Sequence, residues 1–190
     1  MKFYNNRNKF FSKNKKNIHA YIIASPLNTH YEYIKKILTK KKPLIIEKPI
    51  VQNINELKKI NILSNNVKYP VLVNHTDLYN PAFKKLEKNI KLIGNYRKIK
   101  IEFGKFKKIY KINNKSSTVL PYFDWLPHPL FVLLDLFGFP EKYKILQAIF
   151  TKKNNFSFNN IVIKFFYYNF HVNLYFTNSL NLKKRKLTIF

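Results

Sequence analysis

The sequence predicts an α/β fold followed by an α+β fold: a partial parallel sheet with covering helices, then an open antiparallel sheet with one packed helix. From residue 18 onward, short apolar runs alternate with amphipathic segments in β-α-β-α-β-α order, which is typical of a parallel sheet between helices. After Gly94 the pattern changes to long runs of period two around one apolar helical segment, as in antiparallel sheets. We place the domain boundary after residue 78, so that the predicted domains are 1–78 and 79–190.

The first predicted strand is the apolar run 18–24, which has the continuous hydrophobicity of a buried parallel strand. A turn over 25–29 follows, and a helix is predicted over 30–40. The apolar positions of that helix have helical spacing at Tyr33, Ile34, Ile37 and Leu38.

A second strand is predicted over 43–47 and a third over 69–73. Between them lies a helix for which Asn53 or Asn55 can serve as the N-cap. Its predicted apolar stripe consists of Leu57, Ile60 and Leu63. Asn80 followed by Pro81 then predicts the start of another helix, with asparagine as N-cap and proline in the first turn.

The second part begins with a strand over 96–106, in which Ile99, Ile101 and Phe103 share one face. An apolar helix is predicted over 127–136. Four further runs have β character, namely 142–151, 158–168, 170–177 and 184–190.

The chain carries a net charge of +27, from 36 basic and 9 acidic residues among 190. Such a charge favours anionic partners, and a basic polyanion-binding module is one candidate function. However, the lysines are spread over the whole chain and only three arginines occur, which favours compositional drift toward lysine and disfavours nucleic acid as a partner. The aromatic run 165–168 beside Lys164 could stack on bases, but its strand periodicity fits sheet packing better.

The chain has no cysteine, so disulfides, thiolate chemistry and cysteine-based metal sites are excluded. Because carboxylates are few and the histidines lack ligand spacing, no metal site is expected. No apolar run approaches the roughly 18 residues of a membrane helix, and no apolar signal segment begins the chain. We therefore expect a cytoplasmic protein without a membrane partner.

Two motifs carry candidate chemistry. Lys48 stands between Glu47 and Pro49 at the carboxyl end of the second strand, the edge at which α/β sheets bind ligands. Asp124 precedes His128 by four residues at the head of the apolar helix, and a carboxylate can orient an imidazole and stabilise its charged form. For Asp124 alone, a role as helix N-cap is the alternative. A lysine, a carboxylate and an imidazole can together move a proton while a cofactor takes a hydride.

The three glycines of the chain are Gly94, Gly104 and Gly138. A G-x-G-x-x-G turn, which brings a dinucleotide pyrophosphate to a helix N-terminus, is therefore absent ahead of residue 94. The first 31 residues also contain no acidic residue to bind an adenosine ribose. The sequence thus predicts a chain that enters the α/β domain after its first βαβ unit.

These residues resemble the Gfo/Idh/MocA oxidoreductases, the glucose–fructose oxidoreductase and inositol dehydrogenase type. Residues 20–30 resemble the family's strand and T-P-x-x-x-H loop, and Glu47-Lys-Pro49 matches its E-K-P signature. Tyr79-Asn-Pro-Ala-Phe83 and Leu92-Ile-Gly94 resemble its domain-crossing helix and the strand start after it. Asp124 and His128, with Gly138 closing the helix, match its second catalytic element. The agreement in order and spacing extends over residues 18–190.

The resemblance implies a partial Rossmann domain, NAD or NADP as cofactor, and oxidation of a secondary alcohol on a sugar, cyclitol or related polyol. It places four residues along the nicotinamide half of the cofactor: Ser25, Pro26, Asn28 and His30. It implies that Glu47 faces the nicotinamide ribose and that Lys48 both contacts the cofactor and hydrogen-bonds the reacting hydroxyl or carbonyl. Asp124 and His128 complete the substrate site, with His128 as acid/base.

Compared with that family, the chain is expected to be truncated at its N-terminus and also at its C-terminus. Three alternatives for function therefore stay open: an active oxidoreductase, an inactive remnant or one piece of a split enzyme, and a basic polyanion-binding module. A homo-oligomer or a complementary polypeptide would cover the uncovered side of strand 18–24.

Overall fold

The computed structural model describes residues 18–105, 121–153 and 156–190. They divide into two compact units, of which the first ends at Asn74 and the second begins at His75.

The first unit is built on a three-stranded parallel sheet, as predicted. Its strands are β1 (Tyr21–Ile23), β2 (Leu44–Glu47) and β3 (Val71–Asn74), in the spatial order β1-β2-β3. The register aligns Ile22 with Ile45, and Ile45 with Leu72. The carboxyl ends of all three strands therefore lie at the same edge of the sheet.

Two helices accompany this sheet, α1 (His30–Leu38) and α2 (Ile54–Asn65). Asn53 is the N-cap of α2, because its side-chain oxygen accepts a 2.9 Å hydrogen bond from the backbone N–H of Glu56. The predicted apolar stripe of α2 is only partly correct. Ile60 is buried, whereas Leu57 and Leu63 are exposed, so the helix buries a narrower stripe than its sequence suggests.

The core of the first unit lies on one side of the sheet, where α1 and α2 pack. Its buried members are Ile23, Ile34, Ile37, Leu38, Leu44, Ile46, Val51 and Ile60. On the other side, Ile22 is 73% exposed, Ile45 40% and Leu72 43%. The expectation of a strand buried on both faces is therefore wrong for β1, because the helices of the described residues cover one face only.

The second unit begins with a 3-10 turn at Thr76–Tyr79 and helix α3 (Pro81–Asn89). Asn80 caps α3 as predicted, since its side-chain oxygen accepts a 2.9 Å hydrogen bond from the backbone N–H of Ala82. A second 3-10 turn, Ile90–Ile93, ends at Gly94, whose φ of +81° favours glycine.

A five-stranded sheet forms the body of the second unit. Its strands are β4 (Lys98–Gly104), β5 (Lys142–Lys153), β6 (Phe156–Phe166), β7 (His171–Thr177) and β8 (Lys184–Ile189). Their spatial order is β5-β6-β7-β4-β8. Three of the four neighbouring pairs are antiparallel, but β4 and β7 are parallel. The sheet is thus mixed and mostly antiparallel, a refinement of the predicted antiparallel sheet.

Helices α4 (Pro121–Trp125) and α5 (Pro127–Phe137) accompany this sheet, and α5 matches the predicted apolar helix. Leu133 of α5 lies in one buried cluster with residues of β4, β6 and β7. The members from the strands are Ile99, Ile101, Phe103, Ile161, Ile163, Phe165, Val172, Leu174 and Phe176. The period-two pattern of Ile99, Ile101 and Phe103 thus correctly predicted the core face of β4.

Among the described residues, no helix has the length and hydrophobicity needed to span a membrane.

Candidate functional site

Polar side chains gather at the carboxyl edge of the parallel sheet. Glu47 ends β2 and Asn74 ends β3, and the two residues are partners in the strand register. The Asn74 side-chain amide donates a 2.5 Å hydrogen bond to Oε1 of Glu47. This bond fixes one carboxylate oxygen and leaves the second acceptor oxygen of Glu47 for a ligand hydroxyl.

The loop after β1 is held by its own hydroxyl groups. Thr29 Oγ1 donates a 2.7 Å hydrogen bond to the carbonyl oxygen of Pro26. Ser25 Oγ lies 2.6 Å from Thr29 Oγ1, and because the threonine proton is used, Ser25 is the donor in this pair. Pro26 and Asn28 are exposed on the same loop, so both are accessible to a ligand.

His30 connects this loop to the turn after β2. Its Nε2 lies 2.8 Å from the carbonyl oxygen of Ser25, and its Nδ1 lies 3.0 Å from the carbonyl oxygen of Pro49. The side chain is 1% exposed. Both ring nitrogens therefore contact backbone, and the structure gives His30 the geometry of a positioning residue for Ser25 and for the Lys48–Pro49 turn. Its predicted contact with a cofactor stays a prediction.

Lys48 lies in the half-buried turn that follows β2, beside Glu47, and the Lys48–Pro49 peptide bond is cis. The first unit thus brings together Ser25, His30, Glu47 and Lys48, all from the carboxyl ends of β1 and β2 or the loops after them. This agrees with the edge at which α/β sheets bind their ligands.

These residues fit part of a nicotinamide dinucleotide. A carboxylate together with serine and threonine hydroxyls from the same edge of the sheet suits the hydroxyl groups of a ribose. The fit does not extend to the pyrophosphate, because no glycine precedes Gly94 to let a phosphate approach the backbone.

The second unit contains a separate cluster around His128, at the head of α5. His128 Nδ1 lies 2.7 Å from Oδ2 of Asp77, and the Arg185 guanidinium contacts Oδ1 of the same carboxylate. The side chains of His128 and Asp77 are only 12% and 13% exposed. Asp77 therefore links an imidazole to a guanidinium across elements that are 51 and 108 residues away in sequence.

The electrostatics of Asp77 agree with this geometry. The contact with His128 lowers the pKa of Asp77 most, and the charges of His128, Arg185 and Lys183 lower it further, against the opposing effect of burial. Asp77 is therefore ionised at neutral pH, and its Oδ2 lies against Nδ1 of His128 at ion-pair distance. Since the carboxylate lies against Nδ1, Nε2 is the ring nitrogen that faces away from it.

Aromatic rings flank the imidazole. His128 stacks on Phe103 at 5.8 Å between ring centroids, with 13° between the planes, and Trp125 lies edge-on at 6.3 Å. The Arg185 guanidinium also lies over the Phe103 ring, at 5.0 Å. The rings restrict the rotation of His128, so its free nitrogen has a defined direction.

Asp124 lies within α4 and is half-buried. The N-cap of α5 is Leu126, so the alternative role of Asp124 as the N-cap of that helix is wrong. The expected orientation of His128 by Asp124 stays a prediction, and the carboxylate observed on Nδ1 is that of Asp77.

A cavity of about 280 Å³ lies beside this cluster within the second unit. Its wall is mostly apolar, and Asp77 and Arg185 contribute polar groups to it. Apolar members of the wall include Phe83, Leu86, Ile101 and Phe103. The arrangement can therefore accept an apolar group close to an ion pair.

Sequence reasoning missed Asp77 and Arg185. Both lie far from His128 along the chain, so no local motif connects them. Composition gave one signal. Because the chain has only 9 acidic residues and three arginines, each aspartate, glutamate and arginine is an unusual residue here and a candidate for a site.

No cluster of three or more metal-ligating side chains occurs in the stretches 18–105, 121–153 and 156–190.

Comparison with known proteins supports the fold and part of the family resemblance. Residues 1–75 match the Gfo/Idh/MocA family model, described as an oxidoreductase family with an NAD-binding Rossmann fold. No protein of curated function matches the sequence.

Solved structures match nearly the whole chain. A candidate oxidoreductase from Magnetospirillum magnetotacticum MS-1 is 23% identical, with a TM-score of 0.84 over 98% of this chain and 59% of its own. An oxidoreductase from Bacillus cereus is 16% identical, with a TM-score of 0.76 over 99% and 54%. Biliverdin reductase from Synechocystis, solved with biliverdin and NADP+, is 15% identical, with a TM-score of 0.74 over 92% and 57%.

The chain spans between half and three fifths of the length of these three structures. At such identities the likeness establishes the fold alone. The chain is thus a Rossmann-type parallel sheet followed by a mixed, mostly antiparallel sheet, and its first 75 residues match the NAD-binding Rossmann fold of the Gfo/Idh/MocA oxidoreductases.

Proposed function

We propose that this chain belongs as a whole to the Gfo/Idh/MocA oxidoreductases and acts with NAD or NADP on a secondary alcohol of a sugar, cyclitol or related polyol. The observation that carries the proposal is the match of residues 1–75, together with Glu47 and Lys48 at the carboxyl edge of the parallel sheet. The bound nicotinamide would supply the chemistry of hydride transfer.

In the first unit, Glu47 binds the ribose hydroxyls through its carboxylate, while Asn74 holds the second oxygen of that carboxylate. Ser25, Pro26 and Asn28 line the same edge, and His30 keeps their loop in place. Lys48 donates a hydrogen bond to the substrate oxygen, which favours the developing negative charge as the hydroxyl loses its proton.

In the second unit, His128 serves as acid/base. With the Asp77 carboxylate against Nδ1, Nε2 takes the proton of the substrate hydroxyl during oxidation and returns it during reduction. The negative charge of Asp77 stabilises the imidazolium formed in the first of these steps. Asp124 would contact the substrate from α4, as the family resemblance implies.

Two alternatives follow from different observations. An inactive remnant or one piece of a split enzyme would explain why the pyrophosphate turn is missing from this sequence. A polyanion-binding module would explain the charge of +27. Turnover by the purified chain would exclude the first of these alternatives but not the second.

The first test is binding of NAD(H) and NADP(H) to the purified chain by calorimetry, at about 0.3 M salt to screen non-specific anion binding. We expect binding that weakens at least about fivefold in Lys48→Ala, since Lys48 would also hydrogen-bond the bound cofactor, and a hydrogen bond that involves a charged group contributes about 1.5–3 kcal/mol. Lys58→Ala, which removes an exposed lysine from α2, is the matched control and should bind as the wild type does.

If a folded chain binds neither cofactor, the proposal is wrong for this polypeptide by itself. Binding that is lost equally in both variants would point to general attraction of anions instead.

Where the chain reduces NAD or NADP with a polyol, His128→Asn should abolish turnover. Asp77→Asn should lower kcat more than KM and shift the pH profile, because it removes the negative charge beside the His128 imidazole. An unchanged pH profile in Asp77→Asn would contradict the role of Asp77.

A further inference from the structure

The five-stranded sheet of the second unit has a face that is rich in lysine. Because side chains alternate along a strand, the residues that follow or precede the core positions of β4 to β8 point to the opposite side. We call this side the lysine face and define it by Lys98, Lys100, Lys142, Lys144, Lys164 and Lys184, together with Glu102, Phe166 and Tyr175. The lysines come from four strands, β4, β5, β6 and β8, and the pairing of the strands in one sheet brings them together.

Aromatic rings lie between these cations. Lys142 and Lys164 lie over the ring of Phe166, at 5.2 and 5.1 Å from its centroid. Lys100 lies 5.1 Å from the centroid of Tyr175, which is 37% exposed. The face therefore alternates positive charges with flat apolar rings.

The charge of the face is poorly balanced from within. Among its described side chains, Glu102 is the single carboxylate, and it contacts Lys100 at 3.2 Å and Lys184 at 2.7 Å. Lys144 and Lys164 are directly opposite each other in the register of β5 and β6. Like charges in that position destabilise a sheet, so an anion between them would stabilise it.

We propose that the lysine face binds single-stranded RNA, a role separate from the oxidoreductase function. Sheets that bind single strands combine cations for the phosphates with rings on which bases stack, and this face presents its lysines beside the half-buried Phe166 and the exposed Tyr175. A second copy of the chain suits the face less well, because two such faces would bring their lysines together. Since the cations are lysines rather than forked arginines, the binding has little sequence preference.

His171 offers a local reporter of the bound phosphates. It lies on the same face, opposite Lys98 in β4 and Phe166 in β6. Partial burial, and then the charges of Lys164 and Lys98, lower the pKa of His171. A polyanion on the face compensates those charges, so the pKa of His171 should rise toward its ordinary value.

The test is fluorescence anisotropy with a fluorescein-labelled U20 oligonucleotide, over a series of salt concentrations. We expect log K to fall against log salt with a slope of about −3, as for four to five phosphate contacts to a single strand. Changing Lys98, Lys100, Lys164 and Lys184 to Gln together should weaken binding at least about tenfold. Tyr175→Leu should weaken it about fivefold or more, through loss of one stacked base.

The control changes Lys58, Lys59, Lys85 and Lys88 to Gln, which are exposed on α2 and α3 and give the same net charge. It should leave affinity within about twofold of the wild type. Circular dichroism and thermal unfolding establish that each variant is folded. The His171 imidazole resonance, assigned with His171→Gln, should report a higher pKa in the complex.

Three outcomes would overturn the proposal. Equal loss in the face variant and the control would mean that only total charge matters. Equal binding of inorganic polyphosphate and U20, with Tyr175→Leu unchanged, would mean that bases are not stacked. Tighter binding to phosphatidylserine vesicles than to U20, or a dimer broken by the face variant in sizing experiments, would assign the face to a membrane or a second copy.

Discussion

Each of the two units has a sheet with one covered and one open face, but the open faces differ in chemistry. In the first unit the open row is apolar and consists of Ile22, Ile45 and Leu72. In the second unit the open face carries lysines interleaved with rings. The covered faces are alike, since each is an aliphatic cluster packed against helices.

The difference indicates how each face can be used. An apolar row that is open to water loses the free energy of burial, and among the described strands β1 lies at the edge of the sheet. A lysine face is soluble by itself and attracts anions. The first open face therefore favours contact with polypeptide, and the second favours contact with phosphate.

The largest effect is expected in the first unit, where it tests whether the apolar face of the sheet is open to water. Ile46 is fully buried on the covered face of β2, while its neighbour Ile45 is 40% exposed on the open face. We expect Ile46→Ala to lower the free energy of unfolding by about 2–5 kcal/mol. Ile45→Ala should lower it by about 1 kcal/mol or less, because most of its cavity would be open to water. Urea unfolding monitored by circular dichroism measures both.

The contradicting result is an Ile45→Ala variant as unstable as Ile46→Ala. It would mean that the apolar row is covered in solution, and sizing experiments would then show whether a second copy covers it. Ile45→Lys is the complementary variant: it should reduce any self-association while leaving the helices of the unit folded.

The starts of the helices and the core face of β4 were predicted well from the sequence, because local signals determine them. Asn80 was predicted as an N-cap, Asn53 was one of two candidates for the other cap, and the alternation of Ile99, Ile101 and Phe103 correctly gave the core face of β4. The sequence could not show which face of β1 to β3 is open, since an apolar run gives no information about its two sides. The parallel pairing of β4 with β7 was also missed, because a strand does not record its partner.

The candidate sites were predictable to different extents for the same reason. Glu47 and Lys48 belong to one motif at the end of one strand, so a local pattern was sufficient to predict their position at the carboxyl edge of the sheet. The Asp77 carboxylate beside His128, and the Arg185 guanidinium that pairs with the same carboxylate, reach this cluster through folding of distant segments. The lysine face is a further long-range feature, because its members are evenly spread in sequence and gather only through strand pairing.

An effect of intermediate size is expected for Asp77, a charged residue on the covered side of the second unit's sheet. Asp77→Asn removes the ion pairs with His128 and Arg185, and we expect the free energy of unfolding to fall by about 1–3 kcal/mol at pH 7. Because the pKa of Asp77 is lowered in the folded chain, its stabilisation is complete above its ordinary pKa near 3.8 and is lost as the pH falls through the folded-state value.

The difference between wild type and Asp77→Asn should therefore stay constant from about pH 5 to 7 and shrink below about pH 4. Chemical unfolding at several pH values measures it, with Asp135→Asn as the control on an exposed position of α5. A difference that grows toward low pH would show that Asp77 is not the ionised partner in this cluster.

The smallest effect is expected on the lysine face, where one substitution should lower stability slightly but strengthen the binding of RNA. Glu102 bridges Lys100 and Lys184, and the contact with Lys184 contributes most to lowering its pKa. Glu102→Gln should cost only about 0.2–1 kcal/mol of stability, because the lysine partners are largely in water and salt screens the pairs.

The same substitution removes the carboxylate from the face and so should strengthen U20 binding about two- to threefold at low salt. Glu87→Gln, which breaks the exposed 2.8 Å pair with Lys84 on α3, changes the net charge equally and should not strengthen binding. If both variants bind more tightly to the same degree, the attraction comes from the whole chain rather than from this sheet. The lysine face would then have no specific role, and only the apolar row of the first unit would distinguish the two open faces.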